Sequence, residues 1–74
     1  MRKEPDRWSM VVVGDILMHE PTDRVFRVED MTSEHGYHTR VIVYVLNLMT
    51  RITTMWVVGA DEGLKELTWI GEGG

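Results

Sequence analysis

The stretch EHGYHT, Glu34 to Thr39, sets His35 and His38 three residues apart beside a carboxylate, and His19 and Glu20 stand together earlier in the chain. Imidazole nitrogens and carboxylates are competent zinc ligands, so three histidines with Glu20 or Glu34 could in principle complete a site. The spacing matches none of the closed patterns that mark structural zinc, and the chain has no cysteine to supply a thiolate. EHGYHT therefore reads as a polar loop, and no metal or cofactor is implied. Catalysis finds no better footing. There is no cysteine nucleophile, Ser9 and Ser33 lack a histidine-and-acid arrangement, and no glycine-rich phosphate loop occurs. An acid/base role for Asp15 or Glu29 would need a partner and a pocket, and a domain this small fills its interior with side chains. The expectation is that the protein is not an enzyme.

The loop has to be held by something, and periodicity says what. Ser9 to Met18, SMVVVGDILM, is rich in β-branched residues and precedes the turn cluster HEPTD, which carries Pro21 and Asp23. Arg24 to Met31, RVFRVEDM, alternates at period two, with Phe26 and Val28 on one face and Arg27 and Glu29 on the other. After EHGYHT, TRVIVYVLN opens a continuous apolar run from Val41 and predicts a central strand. LMTR is a short connection, and Ile52 to Val58 predicts a fourth strand. GADEG predicts a single helical turn before a fifth strand within LKELTWIG. No segment has the length and amphipathic period of a helix, so the fold class is all-β. Residues 1–8 read as an N-terminal extension, 9–72 as one domain and 73–74 as a tail.

The motifs VGDIL, PTDRVFRVEDM and GADEGLKEL, in an order of five short strands with one helical turn before the last, resemble the SH3-like small β-barrel, the family that includes Tudor and KOW domains. The resemblance implies a five-stranded barrel. Many members have glycine after the threonine in the turn before strand two, where this chain has Asp23. Peptide-binding SH3 domains carry an aromatic tract in the first long loop, and HEPTD has none, so recognition of proline-rich peptides is not implied.

Seventy-four residues support one domain, burying only about 60% of the surface its unfolded chain exposes. A formal charge of −4 argues against tight binding to a phosphate backbone, where lysine and arginine must displace counterions. The longest apolar run, Val41 to Met49, is far short of the roughly 20 residues of a membrane-spanning helix, and no signal peptide is read. A cytoplasmic protein with no membrane partner is expected.

A first register places Phe26 opposite Tyr44, Val28 opposite Ile42, Tyr44 opposite Thr54 and Ile42 opposite Trp56. It assigns Phe26, Val28, Ile42, Tyr44, Leu46, Ile52, Trp56 and Val58 to the core. It leaves Val41, Val43, Val45, Met55 and Val57 outside as a candidate interface, with Tyr37, Leu48 and Met49 as loop and hairpin-tip additions.

Two function classes follow. The first is a non-enzymatic protein-interaction module, acting on another protein or as a homo-oligomer. Small acidic chains of this kind suit accessory proteins of phages or mobile elements that bind a host or virion protein. The second is a nucleic-acid-contacting barrel resembling KOW or Tudor domains, with Trp8 or Tyr37 stacking on bases beside Arg24, Arg27, Arg40 or Arg51. The acidic balance favours the first. Because EHGYHT fits no closed site, a chelator should leave the thermal midpoint unchanged; a loss of several degrees, restored by zinc, would overturn the polar-loop reading.

Overall fold

Five antiparallel strands form one sheet in the order β4-β3-β2-β1-β5, in a computed structural model that describes residues 3–36 and 39–72. The strands are β1 (Asp15–His19), β2 (Arg24–Glu34), β3 (Arg40–Asn47), β4 (Thr53–Gly59) and β5 (Leu67–Glu72). The fold class expected from the periodicity is the one observed. The sheet curls, but no strand ladder joins β4 to β5, so the barrel is not closed by hydrogen bonds. Among the described residues the one helical turn is a 3₁₀ turn at Trp8–Met10, ahead of β1. The turn expected at GADEG, before the last strand, is instead a pair of tight turns around Gly63, which bridges to Arg7.

That bridge explains how the open seam is covered. The Trp8 N–H donates to the Glu62 carbonyl at 3.0 Å and the Ser9 N–H to the Ala60 carbonyl at 2.9 Å, so the N-terminal segment lies along the chain leaving β4. Trp8 is driven inward and is only 3% exposed. Its indole meets Trp56 edge-on at 6.2 Å, and Trp56 meets Phe26 edge-on at 5.0 Å, an arrangement aromatic quadrupoles favour. The segment expected to be an extension therefore supplies a core residue, and Pro5 beside it is buried as well.

The expected faces of β3 are reversed. Val41, Val43 and Val45 are in the core at 4%, 0% and 0% exposure, packed with Leu17, Phe26 and Val28. Val43 lies opposite Trp56, and Ile42 lies opposite Val57 on the outside. Two local features move the register. Asn47 caps the turn into β4: its Oδ1 accepts the N–H groups of Met49 (2.9 Å) and Thr50 (3.2 Å), and its carbonyl accepts that of Arg51. Arg51 takes the left-handed conformation this turn needs, at φ 63°. On β2 a bulge follows Val28. Val28 faces Val45 and Asp30 faces Tyr44, so Glu29 and Asp30 together oppose one residue. The extra residue lets Val28 and Met31 both turn inward while Asp30 stays in water. Asp23, in the turn before β2, is also left-handed at φ 55°, a backbone more usual for glycine.

A chain of this length holds about 4–11 kcal/mol of stability. Truncating a buried tryptophan typically removes about 3–5 kcal/mol. Trp8→Ala should therefore bring the protein to the margin of folding in a urea titration, although its residue lies outside every strand. A variant as stable as the parent would show that the seam does not need its plug.

Candidate interaction surface

β3 carries its larger apolar side chains outward, and β4 adds Met55 and Val57 to the same face. Ile42 pairs with Val57, Tyr44 with Met55 and Leu46 with Thr53. Side chains directly opposite on one face touch, so these residues make a continuous apolar strip two strands wide. Tyr44 is 37% exposed, Met55 54% and Val57 52%, while Ile42 and Leu46 are half-buried. The strip is bordered on β2 by Arg27, Glu29, Asp30 and Thr32.

Of the interface residues expected from sequence, Met55 and Val57 lie in this strip. The three valines do not, because the register places them inside. Met49, 80% exposed, stands at the tip of the β3–β4 hairpin, with Leu48 half-buried beside it. Tyr37 lies outside the described residues. Ile42, Tyr44 and Leu46 were missed because they were assigned to the core. Valine at 41, 43 and 45 against isoleucine, tyrosine and leucine at 42, 44 and 46 marks two different faces, but size does not say which is buried, since Phe26 and Trp56 also face inward.

The polar clusters are explained by local bonds. His19 Nδ1 lies 2.8 Å from Thr22 Oγ1, and Nε2 lies 3.1 Å from Glu66 Oε2. Glu20 accepts a hydrogen bond from Thr68. His35 is exposed, and His38 lies outside the described residues. Among the described residues no three histidine, aspartate or glutamate side chains converge as a metal site would require. Asp15 is buried, and its Oδ2 accepts the Val12 N–H at 2.9 Å, holding the turn in which Gly14 sits at φ 97°. An open groove of about 480 Å³ runs between the seam and β1, floored by Trp8, Trp56, Leu64 and Leu67.

Two of the four arginines that would have to meet phosphate are engaged. Arg40 pairs with Glu34 at 2.9 Å, and Arg27 forms a two-pronged bond with Glu29, both at 3.0 Å. That bond, with the charges behind it, holds the Glu29 carboxyl below the usual carboxylate range and raises the Arg27 guanidinium. Among the described residues no helix is long and apolar enough to cross a membrane. No family model, curated protein or solved structure matches this chain.

The Glu29 pairing has a sign that can be checked. A carboxyl depressed by folding contributes stability that is present above its unfolded pKa and lost as pH falls through the lower, folded value. In an NMR titration Glu29 should ionise below the ordinary glutamate range, and Arg27→Gln should bring it back toward that range. An unchanged Glu29 midpoint in Arg27→Gln would assign the depression to something else.

Proposed function

We propose that this protein is a non-enzymatic interaction module whose working surface is the outer strip of β3 and β4. The observation carrying the proposal is the contiguous run of Ile42, Tyr44, Leu46, Met55 and Val57 on two neighbouring strands, bordered by charged and polar side chains. Isolated apolar residues are ordinary on a protein surface, whereas a joined apolar strip with a polar rim is the usual form of an interface. An SH3-like reading of the curled five-stranded sheet suits this role, since small sheets of that kind present a rigid face for recognition. A cytoplasmic accessory protein acting on another protein, as in phages or mobile elements, is the setting we favour.

The arginines argue against nucleic acid as the partner. Arg27 and Arg40 are neutralised within the chain, and Glu29 and Asp30 border the same face, so a phosphate backbone would meet as much negative charge as positive.

Charge placed on each face separates core from surface. Val57→Asp should fold, because its side chain is half in water already, and should lose the protein that the parent captures from its native host. Val43→Asp should not fold, since it would bury a carboxylate at a fully enclosed site. Ile70→Asp, on β5, is the folded control that should keep binding. Capture that survives Val57→Asp unchanged would move the working surface elsewhere.

A further inference from the structure

The two edges of the sheet are not treated alike. Sheet edges offer unpaired N–H and C=O groups to any passing strand, and natural proteins blunt them with charge, proline, bulges or covering segments. β5 is blunted: its pairing with β1 slips at Ile16 and Leu17, leaving Ile70 without a partner, and the strand ends in Glu72. β4 reads TTMWVVG, with no charge, no proline and an unbroken register from Thr53 to Gly59.

Its free groups can be assigned. The Asn47 N–H donates to the Ile52 carbonyl, and the alternation of an antiparallel ladder carries that pattern to Thr54, Trp56 and Val58, which bond to β3. Thr53, Met55 and Val57 therefore direct their backbone groups away from the sheet, and their side chains lie in the apolar outer strip.

We propose that β4 pairs antiparallel with β4 of a second copy about a two-fold axis at Met55, joining two five-stranded sheets edge to edge. This rests on the interaction reading above and names the partner. About that axis Met55 meets the partner copy's Met55 and Thr53 meets its Val57. All six outward backbone groups on each strand are satisfied, and the two apolar strips become one. Charge complementarity singles out a second copy. Arg51 stands just before β4, and Asp61 just after it. Both are exposed, and neither is in an ion pair among the described residues. Antiparallel pairing at Met55 sets Arg51 across from the partner copy's Gly59, within an arginine's reach of its Asp61, and the two-fold makes this happen twice.

Area limits the strength. A standard interface takes about 800 Å² from each partner, about a sixth of this chain's 4976 Å², and one strand edge supplies less. The dimer is therefore concentration-dependent rather than obligate.

Sedimentation from about 5 to about 500 µM, at physiological salt to screen the net charge of −4, should show mass rising from 8.6 kDa toward twice that value. Met55→Lys should stay monomeric with an unchanged circular dichroism spectrum. Arg51→Glu should weaken association about three- to five-fold, and Arg51→Glu with Asp61→Arg should restore it. The chain has no cysteine, so Met55→Cys reads the axis directly: oxidation should link two copies at that position, whereas Ile70→Cys on the other edge should not link. A protein that is monomeric throughout the range, or a dimer indifferent to Met55→Lys and to the charge exchange, overturns the proposal. Should the chain stay monomeric yet lose a foreign partner through Val57→Asp, self-pairing fails while the interaction reading stands.

Discussion

Trp8 is the residue on which the arrangement depends. A single curled sheet can bury its concave face only if the gap between its two edge strands is covered, because water entering there reaches every inward side chain. Here the cover is an indole from outside the sheet, held by two backbone bonds to the chain leaving β4 and packed edge-on against Trp56, which in turn packs against Phe26. Tryptophan suits the position because it brings the largest apolar area for one backbone placement. The inward valines of β3 and Leu17 of β1, all fully enclosed or nearly so, are dry because that seam is filled.

Filling the seam from the N-terminal side has a consequence for the edges. The segment from Arg7 to Ser9 bonds to residues 60–63, past the end of β4, and leaves Thr53 to Val57 uncovered. A barrel closed strand to strand would have consumed the β4 edge in its own ladder. Closure by a side chain spares it. The same economy that stabilises a short chain thus produces its one undefended strand.

The existence of the strands was legible in the sequence; their phase was not. Alternation in RVFRV and the turn residues around Pro21 and Asp23 identify β2 and its entry, and the apolar run VIVYVL, Val41 to Leu46, is long enough to be a strand and too short to span a membrane. A run without polar residues carries no alternation, however, and so cannot say which of Val43 or Tyr44 faces inward. That was decided by features of longer range: Asn47 drawing three N–H groups into its turn, and a bulge at Glu29 and Asp30 that shifts β2 by one. Both are made by residues that look ordinary in sequence. Trp8 was illegible for a similar reason, since it ends a charged run and only the folded seam gives it a place.

The reversed phase also explains why the candidate surface is apolar at all. On the inward side, the β-branched valines of β3 fill the space left between the bulky Phe26, Trp56 and Leu17 without overpacking it. On the convex side neighbouring side chains diverge, which leaves room for Ile42, Tyr44, Leu46 and Met55. Steric need accounts for valine inside; it places no demand for leucine and methionine outside, where threonine would serve a pleated strand as well. β2 makes the comparison within one sheet, since it meets the same curvature and carries Arg27, Asp30 and Thr32 outward. The outer faces of β1 and β2 also carry Ile16, Met18 and Val25, each half-buried, whereas on β3 and β4 Tyr44, Met55 and Val57 stand exposed side by side, and folding alone does not require them there. That coincidence of an unneeded apolar face with an undefended edge is the physical reason for the surface proposed on β3 and β4.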